Sequence, residues 1–401
     1  MIRHLVLLVW NRKRSNALVV LEILLCFLVV FGVLVLGVAM ASNLRRPLGY
    51  STTDVWNIEF GRELDDGGDP RALEVTDRLI QVARALAPVE AVAANLITPY
   101  STSAALDLAS VNGREILFDF SSATDDIAAV LRLTLVAGRW FGKQDDHGRD
   151  MPTLITSDFA RELFGDADPI GRAIPTEPPS PGAQPSPARR IVGVLSSYRA
   201  GGELSGGSLF ALYRVDLTSA DGRAPRNLVV RVRPGTPRAF EEQLVKTLQA
   251  SAPDYRFAVE PLFEMKAKYR DRHILPLAVA AIVAGFLIVM VALGLTGVLW
   301  QNVTKRTKEI GLRRATGATA RQISLQILGE TWILTTLALL VGAVLVLQLP
   351  VLDLLPFVTG RVFALSFVLS LATLYGLVTL CALYPSWLAT RITPTEALHH
   401  E

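Results

Sequence analysis

Side chains able to do chemistry are scarce in this sequence. Two cysteines and five histidines are spread over 401 residues. Cys26 and Cys381 both fall inside apolar runs, so they build no disulfide framework and say nothing about redox compartment. His4, His147 and His273 stand alone and His399-His400 reads as a solvated tail; none shows the spacing of metal ligands. G-x-S-x-G is absent, and no pair of acids has surroundings that single it out. GRWFGK, Gly138–Lys143, places three residues between its glycines where a phosphate-binding P-loop places four, and no Ser or Thr follows Lys143. It reads as a turn, so no nucleotide site or cofactor is expected on this chain. The formal charge of +3 is too small for a nucleic-acid surface.

Charge is also missing from long stretches, and these organise the chain. Hydrophobic residues make up 51% of it and gather into four runs, Ala17–Ala41, Ile274–Trp300, Trp332–Leu349 and Val362–Leu383. Each approaches the roughly 20 residues that cross hydrocarbon as a helix. Residues 42–273 have ordinary globular composition. The expected fold is an α-helical membrane protein with four transmembrane helices and a large α+β extracytoplasmic domain between helices 1 and 2. Arg3, Arg12, Lys13 and Arg14 precede the first run, and Lys305, Arg306, Lys308, Arg313, Arg314 and Arg321 follow the second. The short connection 350–361 offers only Arg361. Lys and Arg favour the cytoplasmic side. Segment 1–16, loop 301–331 and tail 384–401 are therefore expected inside, and 42–273 outside. Lys266, Lys268, Arg270 and Arg272 oppose this only weakly, because a long translocated domain escapes the rule.

Ala39-Met-Ala41 resembles a signal-peptide cleavage site, but the apolar core before it is longer than the usual h-region, which favours a retained anchor. Glu22 is the one charged residue in the four runs and lies near the Arg12–Arg14 cluster. An ion pathway needs intramembrane charges facing a cavity, and secondary transporters tend to carry paired broken helices. Neither pattern is visible. Four such helices suit the transmission of motion better than conduction.

The outer domain reads as mixed α and β. Asp54–Phe60 has strand character, and Asp69–Leu86 is helical with Asp69 before Pro70 as its opening. Leu106–Val111 and Glu115–Phe120 alternate around Asn112-Gly113, a hairpin signal. Asn227–Pro234 reads as a strand, Thr236-Pro237 as the cap of a helix to about Gln249, and Tyr255–Leu262 as a strand. Strand–helix–strand units thus bracket the domain, with an inserted subdomain expected at about 139–220. Within it, Thr176–Arg190 is too rich in proline for a strand ladder and Gly201–Gly207 reads as a flexible turn. Each is a loop first and a recognition element second.

The stretch TKRTKEIGLRRATGATARQISLQILGET, Thr304–Thr331, separates the second and third runs. Glu309 and Arg313 stand at i,i+4 in the favourable order for a helical pair. Gly317 occupies the place of a left-handed helix stop, and Thr319–Gln322 fits a capping box that opens the next helix. The pattern is a short basic helix, a tight turn and a second helix. Anionic lipid would account for the charge, but not for a glycine stop and a capped restart.

These residues resemble the cytoplasmic signature of MacB/FtsX-type ABC transporter permeases, close to R-x-x-E-I-G-x-R-x-A-x-G-A followed by I-x-x-Q-x-x-x-E. Glu309, Ile310, Gly311, Arg313, Ala315, Gly317, Ala318, Ile323, Gln326 and Glu330 fall on it. Ala137–Leu195 is similar to part of the family's periplasmic core domain, and Tyr384–Glu401 to its terminal y-P-A-x-x-A-x-x-x-x-P-x-x-A-L. In the tail, Thr393-Pro394 and Glu396 form a further capping pattern. The prototype carries its ATPase ahead of the first span, where this sequence has residues 1–16, so a separate ATPase is expected.

The resemblance implies a multi-pass protein of the bacterial plasma membrane, without catalysis of its own. It would pair with a second copy or a related permease and dock on an ABC ATPase that holds ATP and Mg. Lys305, Arg306, Lys308, Glu309, Ile310, Gly311, Arg313, Arg314, Gly317 and Ala318 would form the coupling site. Glu309 and Arg313 would hold its shape, with Arg314 free to meet an acidic ATPase surface. Cargo would be an antibiotic, peptide, lipid or lipoprotein, with membrane lipid around the spans and a periplasmic adaptor and outer-membrane duct as further partners. The alternatives are an FtsX-like regulator of an extracytoplasmic cell-wall hydrolase and a membrane sensor. The first usually has a smaller outer loop, and the second needs a larger cytoplasmic output than residues 384–401.

Overall fold

The computed structural model describes residues 13–62, 71–146, 148–175, 187–206, 209–217, 225–305, 307–352, 354 and 358–391. The chain divides into two units, Asn43–His273 and Met1–Ser42 with Ile274–Glu401.

The first unit is built on one ten-stranded sheet. Its chain order is β1 (Val55–Gly61), α2 (Ala72–Arg84), β2 (Val89–Asn95), β3 (Leu106–Val111), β4 (Arg114–Ala123), α3 (Ile127–Leu131), β5 (Leu135–Gly138), β6 (Met151–Thr156), α4 (Ser157–Phe164), β7 (Arg189–Leu195), β8 (Phe210–Arg214), β9 (Asn227–Val232), α5 (Phe240–Ser251) and β10 (Arg256–Pro261). The name α1 belongs to Lys13–Leu44, which precedes them. Strands run β10-β1-β9-β2-β4-β8-β6-β7-β5 across the sheet, with β3 paired to β4.

At one end, β9 lies between β1 and β2, while β1 lies between β9 and β10. Each strand–helix–strand unit therefore admits a strand of the other, the split βαβ arrangement. This is how the two chain-distant units expected from the sequence close on one sheet. Their helices bury one stripe each, Val75, Leu79, Ile80 and Ala83 on α2 and Phe240, Leu244 and Leu248 on α5, against Ile58 and Val230. Helical spacing produces such stripes. The start expected for α2, Asp69-Pro70, lies outside the described residues. Helix α5 begins at Phe240 and not at Pro237, because the Thr236 hydroxyl donates back to the Arg233 carbonyl (2.6 Å) and holds a turn there.

Beyond β2 the sheet continues through the single pair Asn95↔Ala123. Phe118, Ile155, Phe159 and Ile191 centre a second core, with Phe118 and Phe159 at 4.5 Å between rings. This lobe takes in β3 and β4 as well as residues of the 139–220 segment, whose strands belong to the common sheet. The hairpin β3–β4 turns at Asn112 (φ 52°) and Gly113 (φ 79°), with Val111 opposite Arg114. Positive φ at both central residues is what a two-residue hairpin of type I′ requires. Residues 176–186 lie outside the described residues, but Arg189 and Arg190, expected in the Pro-rich loop, begin β7.

The 201–207 segment is not a free turn where it is described. Gly202–Leu204 forms one 3-10 turn, and the buried Arg199 guanidinium beside it donates to the carbonyls of Asn43 (2.8 Å), Arg46 (3.2 Å), Glu203 (2.8 Å) and Ser205. The loop is thereby tied to the residues that open the unit.

Among the described residues four helices are long and apolar enough to cross a membrane. Their spans are Val19–Leu44 in α1, α6 (Leu262–Lys305), α8 (Ala320–Val351) and Gly360–Trp387 in α9 (Gly360–Arg391). Between α6 and α8 lies α7 (Thr307–Ala315). Ile23, Phe27, Leu295, Ala338, Leu374 and Val378 are buried between the spans. A Cβ on Gly342 would collide with the Phe27 ring, and one on Gly294 with the Glu22 carboxylate, so both glycines mark close approach of helices. Exposed positions such as Ile282 and Phe286 are apolar, as hydrocarbon surroundings demand.

Candidate coupling site

The 304–331 stretch folds as its spacing suggests. Helix α7 ends at Ala315, Gly317 has φ +100°, and the Ala318 amide donates to the Arg313 carbonyl (2.9 Å). That six-to-one bond around a left-handed glycine is the Schellman stop. Helix α8 restarts at once. The Gln322 amide donates to Thr319 Oγ1 (3.3 Å) and the Thr319 amide to Gln322 Oε1 (2.9 Å), a complete capping box.

Three features seat α7. Ile310 is buried with Val303 of α6 and Ile323 of α8, with Ile327 packed against them. Arg313 Nη1 donates to Gln326 Oε1 on α8 (2.5 Å), and Gln326 Nε2 donates to Glu330 Oε1 (3.2 Å). The Thr307 hydroxyl donates to the Thr304 carbonyl (2.8 Å), closing the junction with α6. Ile310 and Leu312 are two residues apart, about 200° around a helix. With Ile310 turned in, Leu312 is 66% exposed.

The structure brings Ile310, Arg313, Gly317 and Ala318 into one capped element, with Lys305 exposed at the end of α6. Arg306 lies outside the described residues, as do the side chains of Lys308, Glu309 and Arg314 and the surroundings of Gly311, so the expected Glu309–Arg313 pair is not described. Arg313 also reaches a partner 13 residues along the chain. Leu312 was not among the expected site residues. The i,i+2 spacing of Ile310 and Leu312 on a short helix is the signal that points to it. What the arrangement can do is hold a short helix rigidly against two spans.

A family model for the MacB-like periplasmic core domain matches residues 17–247, and one for the FtsX-like permease C-terminal region matches 281–394. This chain belongs to the MacB-like permease family. Among curated MacB-like relatives, the macrolide export ATP-binding/permease protein MacB of Escherichia coli is 27% identical over 413 residues, covering 97% of this chain and 59% of that protein. MacB of Bdellovibrio bacteriovorus is 27% identical over 287 residues, covering 67% of this chain and 42% of its own length. The pyoverdine export protein PvdT of Pseudomonas syringae pv. tomato is 28% identical, with 68% of this chain and 41% of its own length covered. The chain thus spans about half the length of these relatives. The crystal structure of the periplasmic region of MacB from Actinobacillus actinomycetemcomitans aligns with 57% of this chain and 98% of its own, at 12% identity and a TM-score of 0.39.

Proposed function

We propose that this chain is the permease subunit of an ABC transporter. It passes ATP-driven motion of a separate ATPase across the membrane to its outer domain, which exports or extracts an antibiotic, peptide, lipid or lipoprotein. Helix α7 is the docking element for the ATPase, which holds ATP and Mg. Both termini and the 301–331 loop face the cytoplasm, and two permease chains, identical or related, act together with a periplasmic adaptor and exit duct.

The seating of α7 carries this reading. A lipid anchor needs cationic charge alone. Here an apolar wedge, an inter-helix hydrogen bond, a Schellman stop and a capping box fix one short helix while an apolar Leu312 stays outside. Fixed geometry matters when a second protein must push on the helix. Export is also the activity in the names of the relatives.

The test is co-purification of the ATPase with the permease. Glu309→Lys and Gly317→Val are both expected to lose the ATPase while membrane expression stays normal. Adding positive charge at residue 309 favours a lipid contact, so undiminished association in both variants would leave α7 as a lipid anchor.

A further inference from the structure

The outer unit contains a cleft of about 420 Å³ at the start of α6, within the size range of small-molecule sites. One wall comes from β4 with Asp119 and Phe120, the other from α6 with Tyr269, Arg272 and His273. Ala200, Gly201 and Ser205 close it from the Arg199 loop.

Asp119 is an unexpected residue for its place. It is half-buried between Phe118 and Phe120, opposite Leu106 of β3 and Phe210 of β8. Strands disfavour aspartate, and burying a carboxylate without a partner costs free energy. Among the described residues its carboxylate has no hydrogen-bond or ion-pair partner, and burial alone raises its pKa above the usual carboxylate value. The Arg272 guanidinium, exposed on the facing wall, is likewise without such a partner. The two charges share a cleft and do not pair with each other.

Two further contacts shape the wall from α6 and the loop that closes on it. Tyr269 and His273 stack at 4.1 Å between ring centres, and His273 Nδ1 donates to the Tyr269 carbonyl (2.8 Å), since a carbonyl can only accept. A Cβ on Gly201 would collide with Ser205 and the Tyr269 hydroxyl, so glycine is what lets the loop close on the aromatic wall.

We infer that this cleft binds a small zwitterion with an apolar body, its ammonium on Asp119, its carboxylate on Arg272 and its apolar part against Tyr269, since the Phe120 ring leaves the other face of β4 and packs on Tyr213. An ammonium supplies the partner that Asp119 lacks, and a carboxylate matches the planar donor fork of Arg272. A ligand with one charge leaves the other wall unanswered. The inference does not depend on the coupling reading, because it concerns equilibrium binding and needs no ATPase.

The experiment is calorimetric titration of the full chain in lipid nanodiscs with three probes of one size: phenylalanine, phenethylamine and hydrocinnamate. Phenylalanine is expected to bind at least about tenfold more tightly than either singly charged probe. Asp119→Asn should abolish its advantage over hydrocinnamate, and Arg272→Gln its advantage over phenethylamine. Arg272 is exposed, so its variant decides the matter even if Asp119→Asn fails to fold. Equal affinity for the three probes, no saturable binding of phenylalanine, or unchanged selectivity in Arg272→Gln would overturn the inference.

Discussion

Arg199 and Arg231 are 2% and 1% exposed, and their hydrogen bonds show why burial is tolerated. Arg231 Nε donates to the Val130 carbonyl (2.7 Å) and Nη1 to the Thr53 carbonyl (2.9 Å). Arg199 reaches four carbonyls from two segments, one of them 156 residues away in the chain. Methionine fills a similar volume but donates nothing, so Arg199→Met would take this donor from all four carbonyls, of which only Asn43 is known to keep another, the Arg46 amide (3.2 Å), at a cost of about 2–5 kcal/mol. Denaturant unfolding should show this loss, whereas a surface variant such as Arg78→Met should move stability by less than about 0.5 kcal/mol. A second residue links stability to pH. Asp145 accepts from Arg139 Nη1 (2.8 Å) and Nη2 (2.5 Å) and from the Gly142 amide (3.0 Å). The Arg139 hydrogen bonds, foremost, hold its carboxyl below the ordinary value of 3.8. Its contribution is therefore full above about pH 4 and drains away as pH falls toward the lower folded value. Asp145→Asn should flatten the stability–pH curve in that acid window only, and an unaltered curve would refute the assignment.

At the scale of elements, local patterns were legible where a few adjacent residues decide the outcome. Asn112-Gly113 specifies its hairpin, Gly317 its helix stop and Thr319–Gln322 the next helix start, because each bond is made within six residues. What was hidden depends on distant partners. Arg313 donates to Gln326 on the next helix, a partner no helical period announces. The Arg199 loop read as a flexible turn for the same reason. Thr236-Pro237 misled differently, since the side chain that could cap a helix closes a turn behind itself instead. These distinctions make a prediction for α8. Thr319→Ala removes one bond of the capping box and weakens the helix start by about 1 kcal/mol. Hydrogen exchange should speed up over 319–324 and stay unchanged in the sheet strands. Uniform change across both units would mean that the box does not act locally.

For the whole molecule, the question is whether the spans carry cargo or motion. Several buried polar side chains in the spans bond back to their own helices: Thr335 Oγ1 donates to the Thr331 carbonyl (3.0 Å), Ser370 Oγ to Ser366 (2.7 Å), and Ser366 Oγ to Val362 (2.8 Å) while also reaching the Leu34 carbonyl of α1 (3.3 Å). A hydroxyl bonded back to the preceding turn offers little to a passing solute. Glycines at 294 and 342 meanwhile bring helices into close approach, which favours movement of packed bodies over an aqueous path. Two outcomes follow if the chain transmits work done elsewhere. The purified chain should hydrolyse no ATP above background until an ATPase subunit is supplied. With that subunit present, Ala292→Ser in α6 should leave substrate preference unaltered, whereas substitutions within 139–220 should change it. The first measurement tests where the energy enters, and the second tests where cargo is recognised. Hydrolysis by the chain alone would place the motor on this polypeptide, and a substrate range retuned by Ala292→Ser would place the cargo path between the spans.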